Sequence, residues 1–179
     1  MEKLRKYLSE PNTNYLIGDD LLRLVGEWNN ISKPEFKGWH LSQIIAGLVR
    51  KIIDPDVFLS VAIDSVRSWD QFPLVGAALR YGGNPNVYFD VYQLGPAHAL
   101  VYAIDRANKH NLPILERDAL CVMMIVMGSR INDSAFDRPI IRPPTDNNYD
   151  KRIVTQVSIP ETKYEPSPTV SEWLGSQRL

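Results

Sequence analysis

The sequence predicts a mainly α protein built from stacked helical hairpins and followed by an extended C-terminal arm. Three observations carry this. Apolar residues recur at helical spacing through much of residues 1–138, the longest stripe being Leu41, Ile44, Ile45, Leu48, Val49 and Ile52. Breakers such as Asn29-Asn30, Asp54-Pro55, Asp70-Gln71-Phe72-Pro73 and Gly82-Gly83 interrupt that period at short intervals. Residues 139–179 then hold 6 of the 13 prolines and lose the helical period. The expected division is therefore a helical body, 1–138, and a Pro-rich extended arm, 139–179.

The elements follow in order. Residues 1–9 read as a short charged helix stopped by Pro11. Asp19 or Asp20 caps a second helix whose Leu21, Leu24, Val25 and Trp28 share one face, and Asn29-Asn30 and Pro34 end it. The stripe from Leu41 to Ile52 makes the third. Pro55 suits a first helical turn and opens the fourth, with Phe58, Val61, Ala62, Val66 and Trp69 inward. A shorter helix runs from Pro73 to Tyr81.

Residues 82–95 form a long connection, and Val87–Tyr92 within it is rich in β-formers and suits a short extended segment. The helical pattern resumes from Pro96 to His110. The last helix spans Glu116 to Met127 and is apolar on every side from Ala119 onward, the pattern of a central helix covered on all faces. In the arm, Ile153, Thr155, Val157 and Ile159 alternate like a strand.

The run Leu74–Val87, closing on Gly82-Gly83-Asn84-Pro85-Asn86, resembles the end of an ankyrin repeat, where a second helix closes on Gly-Ala-Asp/Asn-x-Asn. Gly95-Pro96-Ala97-His98-Ala99-Leu100 is similar to the Thr-Pro-Leu-His-x-Ala opening of the next first helix. Met127-Gly128-Ser129-Arg130-Ile131-Asn132 is a third echo. The resemblance covers about residues 55–135 and is to degenerate ankyrin repeats of the kind that large DNA viruses encode. It implies stacked helical hairpins used for protein binding, and a His98 ring that ties adjacent loops together. The chain departs from the family in spacing, since Gly95 and Gly128 lie 33 residues apart where the repeat has about 21.

Little points to chemistry. A net charge of -1 with no basic block excludes a sequence-independent nucleic-acid footprint. The single Cys121 excludes an internal disulfide framework and suits a reducing intracellular compartment, cytoplasm or virion. No stretch approaches the 18 apolar residues of a membrane span. Cys121 sits among Ala119, Leu120, Val122 and Met123, where burial raises a thiol pKa and leaves it inert. His40, His98 and His110 have no metal-ligand spacing, and Gly82-Gly83 lacks the strand and Lys-Ser/Thr of a phosphate loop.

The expectation is thus a non-enzymatic protein with no cofactor and no metal, binding protein partners or copies of itself in a larger assembly. Tyr88, Phe89 and Tyr92 are candidate anchors on the connecting loop. In the arm the candidates are Ile153, Val157 and Ile159, which suit strand addition, and Trp173 and Leu174, which suit an aromatic hot spot. The alternative is a nucleic-acid-associated factor using the basic cluster Arg138, Arg142, Lys151 and Arg152 at the root of the arm.

Overall fold

A computed structural model of the chain describes residues 4–5, 16, 18–91, 95–130 and 140–141. It is mainly helical. In chain order the elements are α1 (Gly18–Asn29), α2 (Pro34–Val49), α3 (Pro55–Asp64), a single 3-10 turn (Trp69–Gln71) and α4 (Phe72–Arg80). Strands β1 (Tyr88–Val91) and β2 (Gly95–His98) follow, then α5 (Ala99–Lys109), α6 (Ile114–Val126) and a two-residue β3 (Ile140–Ile141).

Helices α3/α4 and α5/α6 are close-packed consecutive pairs, α1 and α2 meet more sparsely, through His40 of α2 at the Leu24 carbonyl of α1, and the three pairs stack. First helices pack on first helices, α1 on α3 and α3 on α5; second helices do the same, α2 on α4 and α4 on α6. One apolar core runs through the stack, from Leu21, Leu24 and Trp28 through Phe58, Leu59, Ile63 and Leu74 to Tyr102, Leu120 and Met124. Each pair buries only part of its own apolar surface, so the neighbouring pair completes it.

Helix ends explain the pair boundaries. Asp54 caps α3, its Oδ1 accepting from Asp56 N at 2.9 Å and Val57 N at 3.0 Å, with Pro55 in the first turn. After α4, Gly82 takes φ +116°, and Gly83 N donates back to the Ala78 carbonyl at 2.8 Å. After α6, Gly128 takes φ +99°, and Ser129 N donates to the Met124 carbonyl at 2.9 Å. Both are Schellman closures. Lys51 after α2 and Asn111 after α5 hold the same position with φ 55° and 53°.

Four expectations need correction. Pro34 does not close α1 but stands in the first turn of α2, which therefore starts earlier and stops before Ile52. The fourth helix does not reach Trp69: α3 ends at Asp64, and Ser68 then caps a separate 3-10 turn with Gln71. Pro96, Ala97 and His98 are not helical. They pair antiparallel with β1, in the register Tyr88↔His98, Phe89↔Ala97 and Asp90↔Pro96, so α5 begins only at Ala99. Finally, α6 is not covered on all faces, as described below.

The sheet has the order β2-β1-β3. Within the span read as an extended arm, Ile140 and Ile141 pair parallel with Tyr88 and Phe89. The first helix expected over 1–9 lies mostly outside the described residues, where only Leu4 and Arg5 are seen, both helical. The strand expected at 153–159 also lies outside them.

Candidate interaction surface

The turns between pairs lie at one end of the stack and are tied to one another by side chains. Asp56 Oδ1 accepts from Asn84 N at 2.6 Å. Burial pushes the Asp56 carboxyl above its ordinary pKa, although the Asn84 N–H opposes this. Asn86 continues the chain of contacts. Its Nδ2 donates to the Gly128 carbonyl at 2.9 Å, and its Oδ1 accepts from Arg130 N at 2.5 Å.

His98 Nε2 lies 3.2 Å from the same Asn86 oxygen, and His98 Nδ1 accepts from Leu100 N at 3.2 Å. Because Nδ1 accepts, the ring proton sits on Nε2 and is donated to Asn86. His98 is therefore both the N-cap of α5 and a tie to the preceding turn. Ser129 Oγ adds a bond to the Pro85 carbonyl at 3.2 Å.

The anchors read from the sequence fall differently. Tyr88 is half-buried, its ring edge-on to His98 at 5.4 Å. Phe89 is 0% exposed and packs edge-on against Tyr102 at 5.9 Å. It is a core residue and offers no surface to a partner, because alternation along β1 turns it toward α5. Tyr92 lies outside the described residues. So do Ile153, Val157, Ile159, Trp173 and Leu174 of the arm, and Arg138, Arg142, Lys151 and Arg152 of the basic cluster.

Among the described residues, the largest apolar exposure lies on α6. Leu115 is 79% exposed, Val126 77%, Ile114 63%, Val122 59% and Ile125 55%. With Ala119 and Asp118 these side chains occupy one continuous arc of about 140°, at 100° per residue. Asp118 is the arc's only polar member. Leu120 and Met124 point the other way, into the core. The arc thus inverts the usual rule that the solvent face of a surface helix is polar. On α5, Val101 and Ile104 are also exposed, on the side away from Tyr102 and Arg106, which bond α3.

The hairpin carrying this face is held firmly. Asp64 of α3 accepts from Tyr102 Oη at 2.6 Å and pairs with Arg106 Nη2 at 2.8 Å. Arg106 Nη2 also reaches the Asp64 carbonyl at 3.2 Å. Burial, then the Asp64 charge, pushes the Tyr102 phenol well above its ordinary pKa. Glu116 in the first turn of α6 accepts from Trp69 N at 3.0 Å, which sets the exposed Trp69 beside the start of the apolar arc.

Other groups are structural. His40 is buried, donates to the Leu24 carbonyl at 3.1 Å and lies edge-on to Trp28. Lys37 bonds Asp70 and lies over the Trp28 ring, whose Nε1 donates to the Asp70 carbonyl at 3.1 Å. Cys121 is only partly buried, and burial and Asp118 push its thiol pKa up. Among the described residues, no group of three or more His, Cys, Asp and Glu could hold a metal ion. Among them too, no helix is long and apolar enough to cross a membrane.

Comparison with protein-family models, with curated proteins and with solved structures found no match to the chain. The sequence pattern does not mark Leu115, Val122 and Val126 as surface residues, because an apolar side chain gives the same periodic signal on a covered face and on an open one.

Proposed function

We propose that this protein is a non-catalytic interaction module, an ankyrin-like stack of helical pairs that binds protein through the outer face of α5/α6. The observation that carries the reading is the exposed aliphatic arc Ile114, Leu115, Ala119, Val122, Ile125 and Val126, broken only by Asp118. Monomeric soluble proteins rarely leave a contiguous apolar patch of several hundred Å² open, and such patches mark interaction sites. In stacks of helical repeats the end units need a polar outer face for solubility. Here the described end unit has an apolar one, so it acts as a surface to be covered.

The loop end of the stack supports the reading in a second way. Asp56, Asn84, Asn86, His98 and Ser129 fix successive turns to one another, and a fixed framework lowers the entropy cost of binding. Half-buried Tyr88, the first residue of β1, remains the residue of that connection suited to touch a partner.

The reading is tested by charge substitution on the arc. Val122→Glu with Val126→Glu changes two exposed side chains and leaves the core intact. The expected result is an unchanged helical circular dichroism spectrum, with the chain moving from a larger species to its own size when its native extract is fractionated. A wild-type chain that already elutes at its own size, or a double variant that elutes with the wild type, contradicts the reading.

A further inference from the structure

The composition of the α6 face bears on what covers it. A strongly charged partner finds one charge there, Asp118, among six apolar side chains. A lipid surface is poorly matched as well, because helices that lie on membranes carry Lys and Arg on their polar face. The exposed and half-exposed charges of α6 are Glu116, Arg117 and Asp118, an acidic balance.

The chain's own continuation is placed elsewhere where it is described. After Arg130 the next described residues, Ile140 and Ile141, sit on the edge of β1 and not on α6. Residues 142–179 carry an alternating, Pro-rich sequence, which suits a sheet edge better than a helical groove.

An aliphatic face with almost no charge is complementary to itself. We infer that the α5/α6 outer face pairs with the same face of a second copy of this chain, in a two-fold dimer. The inference rests on the interaction reading above. Ile114, Leu115, Val122, Ile125 and Val126, with Val101 (45% exposed) and Ile104 (38%) of α5, leave roughly 700 Å² open when full side-chain areas are scaled by exposure, near the ~800 Å² per partner of a standard stable interface.

A two-fold pairing also closes, because each copy presents one patch to the identical patch of the other. Head-to-tail stacking would instead set this face against α2 of the next copy and continue without end. The exposed surface of α2 is mixed, with Glu35 and Ser42 among Phe36, Trp39 and Val49, and Arg5 already lies 4.1 Å over the Trp39 ring. The α6 face is the better match for itself.

The test is sedimentation of the full chain over roughly a hundredfold range of concentration, since self-association follows mass action. The wild type is expected to pass from one chain to two and no further. Val122→Glu with Val126→Glu should remain a single chain throughout, a weakening of at least ~100-fold. In a Cys121→Ser background, Val122→Cys should form a disulfide-linked dimer on mild oxidation, whereas Arg80→Cys should not.

A wild type that stays a single chain at every concentration overturns the dimer. So does a chain cut after residue 141 that dimerises when the full chain does not, because residues 142–179 would then be the cover. A single chain whose different protein partner is lost with the double glutamate variant also removes the dimer, yet leaves the interaction module standing. Masses above two copies would point to head-to-tail stacking and overturn the closed pair.

Discussion

Asn86 Nδ2 donates to the carbonyl of Gly128 at 2.9 Å, across 42 residues of sequence. This one bond joins the turn after α4 to the turn after α6, and Asn86 Oδ1 serves Arg130 N and His98 Nε2 at the same time. Asn86→Ala should therefore lose more than a single hydrogen bond. We expect about 2 kcal/mol of destabilisation in urea denaturation, because several partners are left unpaired together. Asn86→Asp should not rescue it, since a carboxylate oxygen would face the Gly128 carbonyl. A loss under ~0.5 kcal/mol would show the turns to be held by packing alone.

Asp64 joins α3 to α5 through two side chains, and the two can be separated. Tyr102→Phe removes one hydrogen bond while Asp64 keeps Arg106, so the expected cost is about 1 kcal/mol. Asp64→Ala strands both Tyr102 and Arg106 and should cost about 3 kcal/mol. Thermal unfolding of the two variants, compared with the wild type, measures the difference. Equal losses would contradict this division.

Stability should fall with acid through His40. Its pKa lies below the ordinary 6.5, first because burial disfavours the charged ring. The unfolded chain then binds a proton below pH 6.5 that the folded chain refuses. The contribution is present in full above 6.5 and is lost as pH falls from 6.5 toward the lowered folded value. His110 is shifted the same way, by desolvation and then by Arg67. Urea midpoints at pH 7.5 and 5 should differ, and His40→Gln should shrink that difference. A midpoint that rises on acidification across this interval would reverse the sign.

Lys51 sits at φ 55°, in the helix-closing position that Gly82 and Gly128 fill elsewhere. A lysine there bears a backbone cost that glycine avoids, and its side chain is exposed. Lys51→Gly should stabilise the protein by about 0.5–1 kcal/mol after the extra entropy of an unfolded glycine is subtracted. Thermal melting should rise by ~1–4 °C for a chain of this size. A fall in melting temperature would mean that the lysine side chain makes a stabilising contact.

Much of the helical architecture was legible because its signals are local. Asp54-Pro55, Gly82 and Gly128 act through their own backbone and caps, so the ends of α4 and α6 fall within a residue or two of expectation. The β-hairpin was half legible. Val87–Tyr92 looked extended, but its partner Pro96–His98 carries a helix-opening pattern, and only pairing across the sheet decides between the two states. Trp69 fitted the apolar stripe of α3 by spacing, yet Ser68 and Gln71 close a local capping box that ends that helix first. The α6 face was illegible for a different reason. Periodicity reports that a side chain is apolar, and only the three-dimensional stack reveals which neighbour is missing.

An α6 arc that serves as an interface in the working protein must lie against another chain inside the cell. The most direct measurement places a photocrosslinking side chain at Val122 and, as a control, at exposed Arg80 on α4, then irradiates living cells that produce each chain. The expected result is a discrete crosslinked species from position 122 and none of that size from position 80. Equal crosslinking from both positions, or none from 122, would contradict it.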